Sequence, residues 1–272
     1  MAEPLGRAAT AALLERHGVR PRKSLGQHFL VDPNTVRRIV EVAGVGPGDR
    51  VVEIGAGAGT LTRGLAAAGA RVLAFEVDER LRPVLDEALA GTGTDLRFSD
   101  AAAVGLGSAL EGRGWVMVAN LPYNVGTPLL LDALRFTPAI ERFVVMLQRE
   151  AVDRLAAGPG SKAYGLPSVV VSLHARIRVA LRVPSSVFLP PPQVESAVAV
   201  LDRTEAPPAA ERAIALAAAA FGQRRKMLRS SLRGALEDPG AALAAAGIDP
   251  SSRAEALPAS GFLRLTEVAG AG

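Results

Sequence analysis

The chain of 272 residues contains no cysteine. That excludes disulfides, thiolate metal centres and cysteine nucleophiles, and it suits a reducing, cytoplasmic compartment. No apolar run approaches the roughly 18–20 residues of a membrane-spanning helix. The nearest, Ala213–Phe221, is mostly alanine. Residues 1–18 are interrupted by Glu3, Arg7, Glu15 and Arg16, unlike a secretory leader, and residues 1–20 are expected to form a loosely held arm. Histidine is scarce, with three in all, and nothing near His28 offers a shared metal, so no metal site is expected. Internal repeats are also absent. What is present is a 49% hydrophobic content, enough for a true core, in a length suited to one sizeable domain and a smaller one. A net charge of +4 is compatible with an RNA partner without specifying one.

Apolar runs and helical patterns alternate along the chain. Strands are expected at Arg50–Ile54, Arg71–Glu76, Leu96–Ser99, Trp115–Ala119 and Arg142–Leu147. Helices are expected at Thr35–Val42, Leu61–Ala68, Glu79–Leu89, Thr127–Leu134 and Glu150–Ala157. Strands apolar on both faces and joined by helices read as a parallel, doubly wound α/β sheet. Asp32-Pro33 marks a helix start and Gly69 a helix end. Two more strands, Ser168–Ala175 and Ala197–Asp202, are expected to pair as an antiparallel edge hairpin, with Pro190–Pro192 a stiff extended piece between them. Gly158–Gly165 reads as a mobile polar loop facing substrate. Thr204–Pro208 reads as a linker, and the alanine-rich remainder, 209–272, as a small helical domain.

Four features carry chemistry. Val51–Ile54 runs into Gly55-Ala56-Gly57-Ala58-Gly59, a loop whose glycines permit close approach to a ligand. Glycine recurs at the first, third and fifth positions, and the sixth, Thr60, breaks the dinucleotide fingerprint, which disfavours an oxidoreductase. Glu76, ending the next strand, can accept both hydroxyls of a ribose. Asp100, after the third, can either accept from a base amino group or cap a helix. Asn120-Leu121-Pro122-Tyr123 suits the alkylation of an adenine amine, a poor nucleophile whose lone pair is delocalised into the ring. The Asn120 side chain and the Leu121 carbonyl are acceptors for the two amino hydrogens, Pro122 stiffens the turn, and Tyr123 offers a stacking face. The bland alternative is an ordinary turn. Gly55, Glu76, Asp100 and Asn120 all fall at carboxyl ends of expected strands, where such sheets bind ligands. Further on, Arg225, Arg229 and Arg233 recur every four residues, flanked by Arg224 and Lys226, and read as an RNA-phosphate stripe on one helix or as a solvated face.

Lys23-Ser24-Leu25-Gly26-Gln27-His28-Phe29-Leu30, Glu53–Gly57, Asn120–Asn124, Phe188-Leu189-Pro190-Pro191-Pro192-Gln193-Val194 and Phe221–Lys226 occur in this order. Together they resemble the small-subunit (16S) rRNA adenine N6-dimethyltransferases of the KsgA/RsmA type, over residues ~20–270. The resemblance implies a Rossmann-like class I methyltransferase domain over 21–204, with an antiparallel edge hairpin, and an RNA-contacting helical domain over 209–272. It implies S-adenosylmethionine as cofactor, held by His28, Leu30, Gly55, Gly57, Glu76, Asp100 and Asn120. It makes Phe188 a second wall against the adenine on Tyr123. The implied reaction is dimethylation of two adjacent adenosines near the 3′ end of 16S rRNA within the small ribosomal subunit, by a monomer. Two departures stand out: His28 where many members have asparagine, and a plain Ala101-Ala102-Ala103 after Asp100.

Three other readings compete. A large-subunit rRNA adenine methyltransferase of the antibiotic-resistance type is separable only by its substrate. A DNA adenine methyltransferase usually carries a sequence-reading domain larger than the segment after Pro208. A non-catalytic assembly factor retaining the fold is disfavoured by the intact Glu76 and Asn120–Tyr123.

Overall fold

The structure, a computed structural model, describes residues 3–270. In chain order the elements begin with α1 (Arg7–Arg16), β1 (Phe29–Leu30), α2 (Pro33–Ala43), β2 (Arg50–Ile54), α3 (Thr60–Ala67) and β3 (Arg71–Glu76). They continue with α4 (Arg82–Ala88), β4 (Asp95–Phe98), α5 (Ala101–Val104), α6 (Leu106–Ala109), β5 (Trp115–Asn120), α7 (Gly126–Phe136), β6 (Ile140–Gln148), α8 (Arg149–Leu155) and α9 (Leu166–His174). Then come β7 (Ala175–Val183), β8 (Phe188–Leu189), β9 (Ser196–Arg203), α10 (Ala210–Gly222), α11 (Leu228–Ser231), α12 (Pro239–Ala245) and α13 (Ala259–Gly270).

Seven strands form one sheet in the order β4-β3-β2-β5-β6-β9-β7. Pairs β3/β4, β2/β3, β2/β5 and β5/β6 are parallel, and β9 runs antiparallel to β6. β2 and β5 are neighbours in the sheet although two strands intervene between them in sequence. Strand order therefore reverses beside β2, which opens a crevice at the carboxyl ends of β2 and β5. The strands are apolar throughout because both faces are covered: Val51, Val52, Ala74, Met117, Val118 and Val145 are all fully buried. Asp32 caps α2 as its sequence requires, accepting from the Thr35 amide at 2.8 Å, with Pro33 at the first turn.

The chain divides into two compact units. One holds residues up to Val152 together with Arg178–Arg203; the other holds Asp153–Ile177 and residues from Thr204 onward. The boundary near Thr204 matches the proline-containing linker, but Asp153–Ile177 joins the second unit rather than the first. The cause is a changed secondary structure. Of Ser168–Ala175, expected as a strand for its run of valines, all but Ala175 lies in helix α9, started by Pro167 in its first turn. Val169, Val170 and Val171 are buried, so the segment shows no amphipathic period, and a short buried helix then looks like a buried strand. The edge strand is β7, the next nine residues.

Within the second unit α10 packs against α9 and α13. Gly158–Gly165 is tied down rather than loose: the Gly160 amide donates to the Glu255 carbonyl at 2.7 Å, and the buried Tyr164 hydroxyl donates to that of Leu257 at 3.0 Å. The arginine stripe is not carried by one helix. α10 stops at Gly222, residues 223–226 turn, and extended Met227 bridges Arg253 before the single turn of α11. Glycine is a poor helix former, and the bridge offers the backbone another partner. Arg225, Lys226, Arg229 and Arg233 remain exposed, whereas Arg224 pairs with Glu255 at 3.0 Å.

The expected N-terminal arm is also corrected. Arg7–Arg16 is a helix with Leu13 and Leu14 buried in the core. It ends in a Schellman turn: the Gly18 amide donates to the Glu15 carbonyl at 3.0 Å, and that of Val19 to Leu14 at 2.9 Å. Gly18 can close it because its φ is +64°.

Candidate active site

The glycine loop leaves β2 with Gly55, Gly57 and Gly59 all at positive φ. Amides of Gly55 and Ala56 donate to the Phe75 carbonyl at 2.8 and 3.0 Å, which pins the loop to the end of β3. A Cβ on Gly57 would lie 3.2 Å from the Phe29 ring, a tight contact added to the strain of a positive φ. Next to it, Glu76 is buried rather than standing at an exposed strand end. Its carboxylate accepts from the amides of Gly57 (2.8 Å), Val77 (2.9 Å) and Asp78 (2.9 Å). Burial still raises its pKa above the ordinary carboxylate value, against those three donors.

A cavity of about 190 Å³ opens here, lined by Leu30, Gly55, Gly57, Glu76, Asp100 and Asn120, among others. The fold thus gathers every residue expected to hold the cofactor. Asp100 takes the cap role as well: it accepts from the Ala102 amide at 2.9 Å and starts α5.

Sequence reasoning missed Glu53, another member of this wall. It is fully buried, its Oε2 has no hydrogen-bond partner among the described residues, and burial, with Glu76 nearby, pushes its carboxyl up to about 8. The available signal was an acid inside an otherwise apolar strand. Gln27 was also unforeseen; it donates to Asp78 at 2.9 Å, linking the N-terminal segment to the end of β3.

On the other side of the cavity, β5 delivers Asn120. Its side-chain nitrogen donates to the His28 carbonyl at 3.2 Å. With the nitrogen so engaged, the oxygen is the atom left to accept. His28 stacks on Tyr123, with centroids 5.5 Å apart and planes 25° from parallel. Its Nδ1 lies 2.8 Å from the Pro190 carbonyl, which can only accept, so Nδ1 carries the hydrogen. The Tyr123 hydroxyl lies 2.6 Å from that of Ser196. A second cavity, on the far side of this pair, is lined by Tyr123, Pro190 and Gln193, among others.

Phe188 does not join the site. It is fully buried in the core, where β8 pairs with β1 (Leu30 opposite Phe188), and it lines neither cavity. Packed on all sides, the ring presents no face to either cavity in this structure.

No helix among the described residues is long and apolar enough to cross a membrane, and no group of three metal-binding side chains occurs among them. The family model for ribosomal RNA adenine dimethylase matches residues 18–270. Ribosomal RNA small subunit methyltransferase A of Phenylobacterium zucineum is 48% identical over 93% of this chain and 90% of its own. The protein of that name from Thermobifida fusca is 43% identical over 92% and 91%. Among solved structures, a dimethyladenosine transferase from Plasmodium falciparum aligns with a TM-score of 0.73 at 23% identity, covering 88% of this chain and 96% of that one. The 23S rRNA methyltransferase ErmE aligns at 0.65 and 26% identity, covering 89% and 99%. The fold is that of the class I methyltransferases, and the chain belongs to the ribosomal RNA adenine dimethylase family.

Proposed function

We propose that this protein uses S-adenosylmethionine to dimethylate N6 of two adjacent adenosines near the 3′ end of 16S rRNA, acting as a cytoplasmic monomer on the small subunit. The observation that carries the reading is the Asn120 side chain on the cavity wall, held there by donation of its nitrogen to the His28 carbonyl.

The smaller cavity suits the cofactor by its chemistry. Glycines at positive φ give a backbone wall that a ligand can approach closely, and the acidic side chains of Glu76 and Asp100 line a site that suits a cationic molecule. Beyond its three amides Glu76 retains one acceptor position for a ribose hydroxyl, and Asp100 has capacity for the adenine amino group. When bound, S-adenosylmethionine supplies a methyl on a sulfonium, already activated and with a neutral leaving group.

The chain's own task is placement. Asn120 and the Leu121 carbonyl accept the two amino hydrogens of the target base and so aim N6, and the exposed side of Tyr123 carries the ring. No strong base is needed, because the amine proton becomes acidic only as nitrogen gains charge. Proximity and orientation supply the main rate gain. Arg225, Lys226, Arg229 and Arg233 are assigned to RNA phosphates; Arg224, engaged with Glu255, contributes less.

Labelled cofactor, unmodified small subunits, large subunits and naked DNA, assayed in parallel, test this. Label should enter small-subunit rRNA alone, as two methyls on each of two adenosines. Transfer to large subunits would support the ErmE-like alternative. Cofactor binding without transfer to any of them would leave an assembly factor.

A further inference from the structure

The two cavities meet at Gln27, His28 and Tyr123, and they differ greatly in size. The one beyond Tyr123 measures about 1240 Å³ against about 190 Å³ for the other. A pocket of roughly 300–1,000 Å³ encloses most of a drug-sized ligand, and a single nucleobase is smaller than that. One adenine on Tyr123 therefore leaves much of the space unused.

The unused part lies toward α1, ahead of the residues that the family model matches. That helix is a fixed wall. Arg7 reaches the carbonyls of Ser186 and, at 2.9 Å, Phe188, on the segment that continues into the opposite wall. At its other end Arg16 and His17 hold Glu87, His17 at 2.8 Å. The α1 side of the lining offers the exposed Ala11 and, just beyond the helix, the exposed guanidinium of Arg20, while Gln148 and Gln193 line the cavity from other elements. A guanidinium plane for a base face or a phosphate and amides for base edges are among the parts from which single-stranded RNA is recognised. Glu15, on the same wall, suits an exocyclic amino group and opposes a phosphate.

We propose that the α1 side of this cavity is a second nucleoside subsite, holding the base adjacent to the adenine under methylation. The proposal rests on the activity given above. It makes α1 a substrate-binding element and explains how two neighbouring adenosines can be served from one docking of the RNA.

Ala11→Trp, at an exposed position, would fill the subsite. Its melting temperature and cofactor affinity should match the parent, while KM for unmodified small subunits rises on the order of tenfold, the loss expected for one stacked base. Subunits with only one of the two adenosines modified should accumulate. Should Ala11→Trp not fold, the surface pair Arg20→Gln and Gln193→Ala serves as the second probe, with the same expected rise. Parental KM and product pattern in a folded variant overturns the subsite, and so does a change confined to cofactor affinity. If the parent itself transfers nothing to small subunits, the activity assignment fails instead, and the two failures are told apart.

Discussion

Asn120 and Tyr123 both meet His28, the first by a hydrogen bond and the second by stacking, yet each has a separable task. Asn120→Ala removes an acceptor aimed at the base and should lower single-turnover methyl transfer by on the order of 10²-fold or more, a far larger loss than in cofactor affinity. Tyr123→Phe keeps the ring and loses only the contact to Ser196, about 1 kcal/mol. Tyr123→Ala loses the stacking face, about 1–3 kcal/mol in base binding, and frees His28 from its partner. Equal damage from the two tyrosine variants would show that the hydroxyl, not the face, matters. Glu76→Ala acts differently, because the carboxylate is buried and holds three amides. Calorimetry should find cofactor affinity reduced by about 1.5–3 kcal/mol, together with a lower melting temperature from the orphaned donors. An unchanged affinity would remove Glu76 from the site.

At the scale of elements, the Asn120–Tyr123 turn is held from below by the start of α7. A Cβ on Gly126 would come within 2.8 Å of the Leu121 Cβ and 2.6 Å of Leu147 Cδ2. The Gly126 amide also donates to the Pro122 carbonyl at 2.7 Å. Gly126→Ala should therefore displace the turn at a cost of about 1–3 kcal/mol in stability, as overpacking does. Urea melts would register that cost, and methyl transfer should fall further than cofactor affinity. A variant with parental stability and turnover would mean that the turn yields freely.

For the whole molecule, Glu53 links the site to pH. Its carboxyl stays protonated up to about 8 when folded, against 4.5 when unfolded. Between those values the folded chain keeps a proton that the unfolded chain has released, so raising the pH favours unfolding by up to roughly 1.4 kcal/mol per unit. Between pH 5.5 and 7.5 the parent should lose about 2–3 kcal/mol more stability than Glu53→Gln, as read from urea melts. Parallel curves would mean that the Thr62 side chain keeps Glu53 ionised despite its burial. The other unit is tested by salt. Replacing Arg225 and Arg229 with glutamine should weaken RNA binding and flatten the log–log salt slope by roughly one unit per lost phosphate contact at most. Identical binding at low and moderate salt would make them a solvated face.

The sequence by itself determined what local rules and spacing control. The parallel strands, the cap at Asp32, the glycine loop and the grouping of Gly55, Glu76, Asp100 and Asn120 at strand ends all follow from periodicity and residue type, and the fold adds only their meeting. Tertiary structure decided whatever depended on surroundings that the chain does not encode locally. Val169–Val171 is helical because α9 is buried nearly all round. Glu76 is buried because the loop from β2 folds over it, and Phe188 is core because β8 pairs with β1. Arg7–Arg16 became a wall only once Ser186, Phe188 and Glu87 came within reach, 71 to 181 residues away in sequence. Contacts across such separations carry no periodic signal, so they are fixed only when the sheet closes.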